Sequence, residues 1–141
     1  RNELYLCVAY RSPNSSDDNN ELLLQFMAEM CDNNIDNLLF IGDFNLPGIE
    51  WHNWSSLTNN QLEVEFINML RDFYLLQHVS FPTRSRGADT PHILDLVISN
   101  DSFVQEVKHL APLGSSDHSL IYVKCSLQCN YTNSLQCTFG K

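Results

Sequence analysis

Three short stretches carry side chains suited to moving a proton or addressing a phosphate. Gly42-Asp43-Phe44-Asn45 follows the apolar run Leu38-Leu39-Phe40-Ile41. A carboxylate and a carboxamide two residues apart, on the continuation of a strand, can point to one side and reach the same atom. The same residues are ordinary turn formers, so their spacing alone leaves a plain strand-exit turn open. Ser116-Asp117-His118 precedes a second apolar segment. Histidine is the side chain best placed to donate or shuttle a proton near neutral pH, and a carboxylate partner fixes its tautomer. Asp95 supplies a candidate partner inside Leu94-Asp95-Leu96-Val97. A carboxylate within an apolar strand must be paired, whether by a histidine, by backbone donors or by a local arginine. Three acidic positions at strand ends with one histidine point to phosphate-cleaving chemistry better than any one of them does.

The elements that must position these groups read in order along the chain. Leu4–Tyr10 is a β-prone segment broken by Ser12, Pro13, Asn14 and Ser15. Asp17–Asn20 offer N-caps to a helix with Leu22, Leu23, Phe26, Met27 and Met30 on one face. Leu38–Ile41 reads as a strand buried on both sides, because an unbroken apolar run has no polar face. Residues 44–58 read as a long loop with Trp51 and Trp54 packed inside it, and Gln61–Phe73 as a second amphipathic helix. Strands are predicted at Leu75–Val79, Ile93–Ser99, Val104–Leu110 and Ser119–Leu127, with a turn-rich loop at Phe81–His92. The order β-α-β-α-β-β-β predicts a mixed α/β layer structure with helices on a sheet. Polar residues gather at strand ends, where ligand sites of open α/β sheets sit. Residues 1–127 read as one domain and residues 128–141 as a polar, frayed tail.

Composition narrows the class. With 141 residues, 43% hydrophobic and 11% aromatic, the chain suits one globular domain rather than a disordered segment. Eight basic against 17 acidic residues give net charge −9, which argues against coating a phosphate backbone but not against an enzyme whose acidic groups hold a cation. Five cysteines without a CxxC pair give little support to zinc; Cys7 and Cys125 read as small hydrophobes within strands. No apolar stretch approaches the ~20 residues of a membrane span. The four Asn-x-Ser/Thr sequons read as coincidence in an Asn-rich chain, and the expected location is intracellular.

These residues resemble the C-terminal half of the endonuclease/exonuclease/phosphatase family, and within it the endonuclease domain of non-LTR (LINE-type) retrotransposon polyproteins. The likeness is carried by Ala9-Tyr10-Arg11-Ser12-Pro13-Asn14, the stretch Gly42-Asp43-Phe44-Asn45-Leu46-Pro47-Gly48-Ile49-Glu50-Trp51, Pro82-Thr83-Arg84, Leu94-Asp95-Leu96-Val97 and Ser116-Asp117-His118-Ser119. Five motifs in the family's order span nearly the whole chain.

The resemblance implies half of a four-layered α/β/β/α sandwich of the DNase I-like type, and Mg²⁺- or Mn²⁺-dependent cleavage of DNA phosphodiesters. It assigns Asp43 to the attacking water with Asn45 beside it, and His118, held by Asp95, to the scissile phosphate. Tyr10 would reach that phosphate, and Asp117 would help hold the metal. Asn14, Arg84 and Arg86 are the expected substrate contacts, although loop arginines are commonly just solvated. A reverse transcriptase in the same polyprotein is the implied partner. The family's metal-binding Glu and its companion Asn lie on strands that would precede Arg1. The N-terminal part of the domain is therefore expected to be missing, and the isolated chain inactive. A phosphatase or phosphodiesterase of the same fold, and an inactive relic or binding remnant, are the competing readings.

Overall fold

The computed structural model describes residues 3–33, 35–127 and 135–139. Its elements in chain order are β1 (Tyr5–Tyr10), α1 (Asp17–Asp32), β2 (Leu38–Asp43), β3 (Ile49–Glu50), β4 (Ser55–Ser56), α2 (Gln61–Asp72), β5 (Leu76–Gln77), β6 (Asp95–Ser99), β7 (Val104–Leu110), β8 (Leu120–Leu127) and β9 (Leu135–Phe139). One sheet has the order β1-β2-β6-β5, another β7-β8-β9, and β3-β4 form a two-stranded ribbon. β1 runs parallel to β2, as a strand–helix–strand connection through α1 requires; the other described pairings are antiparallel.

β2 and β6 divide their side chains between two apolar clusters, which is why both are apolar almost throughout. Leu38, Phe40, Leu96 and Ile98 join Met27 of α1 and Phe66, Ile67 and Leu70 of α2. Leu39 and Val97, on the opposite face, join Val123, Cys125 and Leu127 of β8. Burying a side chain the size of Phe40 contributes about 2–3 kcal/mol, and Phe40 is 1% exposed. The result is a helix layer, a central sheet and a second sheet, a mixed α/β architecture as expected.

The helix boundaries follow the sequence closely. α1 starts one residue before the expected caps: Ser16 is the N-cap, its Oγ accepting from the Asn19 N–H. α2 is capped by Asn60, whose Oδ1 accepts from Leu62 and Glu63. Other expectations need correction. Leu22 and Phe26 are exposed, whereas Leu23, Met27 and Met30 pack in the core as expected; Leu24 and Cys31 join them in α1. The strand expected over Leu75–Val79 is reduced to Leu76–Gln77. The loop at 44–58 contains the β3-β4 ribbon, too short for a period-2 pattern to announce it. Residues 135–139, expected to fray, form β9 against Val123–Leu127; Cys129 lies outside the described residues.

The loop after β2 is tied down by a buried carboxylate. Glu63 of α2 accepts from the Gly48 N–H at 2.8 Å, Ser56 Oγ at 2.7 Å and Thr58 Oγ1 at 3.0 Å. Three donors offset its desolvation. At Gly42 the backbone has φ +140°, and a Cβ there would lie 1.8 Å from the Ala9 carbonyl oxygen. Glycine is required for β1 to approach β2 at this point. Gly42→Ala is expected to destabilise by about 3 kcal/mol, read as a lowered denaturant midpoint at unchanged slope.

Candidate active site

The antiparallel register of β2 and β6 places Leu39 opposite Ser99, Ile41 opposite Val97 and Asp43 opposite Asp95. Cross-strand partners share a face, so the two carboxylates continue the row that packs against the second sheet, at the end where the sheet opens. Tyr10 is the register partner of Asp43 on the other side, and its side chain is exposed. His118 arrives from the connection between β7 and β8, held beside the central sheet by an antiparallel bridge to Arg84.

His118 Nδ1 lies 2.9 Å from Asp95 Oδ2, and its Nε2 lies 3.9 Å from Asp43 Oδ2. An ionised carboxylate only accepts, so Nδ1 carries the proton that bonds Asp95, and Nε2 is the nitrogen turned toward Asp43. A 3.9 Å separation is too long for a hydrogen bond, yet one oxygen atom about 2.8 Å from both atoms fits between them. Asp43 Oδ1 accepts from the Asn45 N–H at 3.0 Å. Burial and the neighbouring Asp95 raise the Asp43 carboxyl above its usual range, against the lowering effects of the Asn45 hydrogen bonds and of His118.

Asn45 adopts a left-handed conformation with φ 48°, which asparagine tolerates better than most side chains. Phe44 between the two polar residues points the other way; it is fully buried and packs against the Phe66 ring at 5.4 Å. Alternation thus sends Asp43 and Asn45 to the site and Phe44 to the core.

Thr83 was not anticipated as a site residue. It is fully buried, and its Oγ1 accepts from both the Leu94 N–H at 3.0 Å and the Asp95 N–H at 2.9 Å. It fixes the start of β6 and therefore Asp95. Its signal in the sequence is its place in Pro82-Thr83-Arg84, where a threonine beside an arginine is an ordinary loop residue. Arg84 Nε donates to Asp117 Oδ2 at 3.0 Å, and this bond holds the Asp117 carboxyl below its usual range. Asn14 sits in an exposed turn with its N–H on Ser12 Oγ. Arg86 is exposed, and its carbonyl caps a loop turn at Asp89. Trp51 and Trp54 meet edge to face at 5.5 Å against the helix-side core, as packing residues would.

Asp43, Asp95 and His118 are the group among the described residues whose ligand atoms could converge on a cation, all lying within 4.8 Å of one another. The two carboxylates suit a hard ion such as Mg²⁺ better than the imidazole does, whose Nε2 is the ring nitrogen left open once Nδ1 bonds Asp95. Mg²⁺ takes about six oxygen ligands, more than these two side chains supply. The donor set therefore fits part of a coordination shell.

Two outcomes test this geometry. Thr83→Val leaves two buried N–H groups without an acceptor and is expected to cost about 2–5 kcal/mol, largely restored by Thr83→Ser, in chemical denaturation. Folding disfavours ionised Asp43, so its cost is present above the raised folded pKa and disappears below the ordinary unfolded one. Asp43→Asn should therefore raise the melting temperature at pH 7 in EDTA, with a gain that shrinks as the pH falls through the carboxyl range.

A search of curated proteins finds no match to the chain. The sequence profile described as endonuclease-reverse transcriptase matches residues 4–122, a stretch that runs from β1 into the start of β8 and contains every residue of the cluster. On that match the chain belongs to the endonuclease-reverse transcriptase family.

Proposed function

We propose that this chain is the C-terminal part of a metal-dependent endonuclease domain that nicks DNA for an attached reverse transcriptase. The observation that carries this reading is the Asp95–His118–Asp43 constellation, with a 2.9 Å hydrogen bond on one side of the imidazole and a 3.9 Å gap on the other. Its polarity suits in-line hydrolysis of a phosphodiester. Asp43, raised by burial, accepts a proton from water placed beside Asn45. His118 in its doubly protonated form, oriented by Asp95 through Nδ1–H, offers Nε2–H to a phosphate oxygen and stabilises the charge that develops there. Tyr10, exposed next to Asp43, lies within the same strand-end surface. Arg84, Arg86 and Asn14 are proposed backbone contacts. Mg²⁺, when bound, would neutralise charge on the phosphate and lower the pKa of water; Asp117, once released by Arg84, and a Glu and Asn from preceding strands are proposed to complete the shell that the acidic cluster supplies in part.

The exposed face of β1 supports the view that further strands belong here, in a four-layered DNase I-like sandwich. Leu6, Val8 and Tyr10 lie on the face that in β2 packs against the second sheet, yet Val8 and Tyr10 are both 74% exposed. An uncovered apolar edge strand of this kind is a surface that proteins normally pair or cover. The proposed location is intracellular, acting on nuclear DNA.

The test is nicking of supercoiled plasmid by the full-length protein in Mg²⁺. Wild type should nick, Asp43→Ala and His118→Ala should each fall by about 10²-fold or more, and a phosphoinositide should be left intact. Retention of nicking by Asp43→Ala would remove the proposed base. Metal-dependent nicking by the isolated 141 residues, lost in Asp43→Ala, would instead show that no preceding segment is needed.

A further inference from the structure

Arg11 follows the last residue of β1. An arginine at the mouth of a phosphate site invites assignment as a substrate clamp, but its guanidinium is already engaged inward. Nε donates to Asn20 Oδ1 at 2.8 Å and Nη1 donates to the Asn45 carbonyl at 2.9 Å. Asn20 is itself buried in α1 at 7% exposure. The main chain of Arg11 takes part as well. Its N–H donates to the Asp43 carbonyl at 2.8 Å, and its carbonyl accepts from Asn45 Nδ2 at 2.7 Å.

Asn45 is thus held at both ends by one residue of the neighbouring strand, at its backbone carbonyl and at its side-chain amide. The bond from Nδ2 also fixes which way the amide faces, turning Oδ1 away from Arg11. The left-handed φ of 48° at Asn45 needs such restraint, because a non-glycine residue in that region carries strain that surrounding contacts must outweigh. Only a forked donor can reach Asn20 and the Asn45 carbonyl together; a lysine ammonium carries the charge without the fork.

We propose that Arg11 is a positioning residue that sets the orientation of Asn45, and through it the Asp43–Asn45 turn, with Asn20 aligning the guanidinium. The proposal rests on the reading of Asn45 as a group that hydrogen-bonds beside the attacking water. Misplacing such a group by about 1 Å can cost about 10²-fold in rate.

The experiment uses the full-length protein, plasmid DNA and Mg²⁺. Arg11→Ala and Arg11→Lys should each lower kcat about 10- to 100-fold while KM and its salt dependence stay unchanged. Asn20→Ala should give a smaller loss in the same direction. In an Asn45→Ala background, Arg11→Ala should cost nothing further, the signature of a residue acting through its neighbour. A raised KM with a salt slope shallower by about 1 would make Arg11 a phosphate contact and overturn the proposal. Losses that add with Asn45→Ala, or full activity in Arg11→Lys, would overturn it too. Should wild type fail to nick, the functional reading falls while the clamp is still read by NMR. Side-chain amide protons of Asn45 should then exchange measurably faster in Arg11→Ala than in wild type, and equal exchange would reject it.

Discussion

Two carboxylates facing each other across one pair of strands constrain everything around them. The β2–β6 register puts Asp43 opposite Asp95, where like charges at contact range in a partly buried setting oppose folding. Sliding either strand by one residue would relieve the repulsion and turn Leu39, Ile41 and Val97 out of the second core. The apolar rows therefore enforce the acidic pair. Around it the chain supplies compensation at each carboxylate: the Asn45 N–H on Asp43, and the imidazole N–H of His118 on Asp95. Strain of this kind is maintained only where neighbouring structure over-determines it, which is the usual condition of a working site.

That over-determination comes from three directions. Gly42 lets β1 close onto β2 so tightly that no Cβ fits beside the Ala9 carbonyl, and Arg11 is thereby delivered to the Asp43–Asn45 turn. Thr83 secures the first residues of β6 by accepting two backbone N–H groups. Glu63 binds the loop that leaves the site to α2 through Gly48, Ser56 and Thr58. None of Gly42, Thr83 and Glu63 is proposed to touch the substrate. Each converts rigidity in a core layer into the position of a polar group at the rim.

Legibility in the sequence followed the range of the interaction. The unbroken apolar run Leu38–Ile41, the three-and-four spacing in α2 and the isolated acid at Asp95 are local patterns, and each led to the right element or partner. Asp95 was informative because a carboxylate in an apolar strand needs a partner, and His118 is that partner at 2.9 Å. Thr83, Arg11 and Glu63 were silent because hydroxyls, arginines and glutamates are ordinary in turns and helices; only the tertiary contact makes them positioning groups. The exposed Leu22 and Phe26 mark the converse limit, since helical spacing offers more apolar positions than the core of α1 accepts. β9 escaped notice because an edge strand with alternating polar residues looks like a tail until its partner is known.

Charge at the site bears on the proposed cofactor. Asp43, Asp95 and Asp117 stand against the guanidiniums of Arg11 and Arg84, so with His118 neutral the cluster retains negative charge. The chain as a whole adds to it, at net −9. A phosphodiester brought to Asp43 would meet repulsion unless a cation intervened, and a few ångströms from a partly desolvated carboxylate that repulsion is on the order of several kcal/mol. Protonating His118 supplies one positive charge, which brings the cluster only to neutrality. Arg84 could turn to the phosphate only by releasing Asp117, which would then present a free carboxylate at the same mouth. Neither route leaves net positive charge beside Asp43, which is the charge that the proposed divalent ion would supply. The carboxylate released by Arg84 would be one of the oxygens available to hold it.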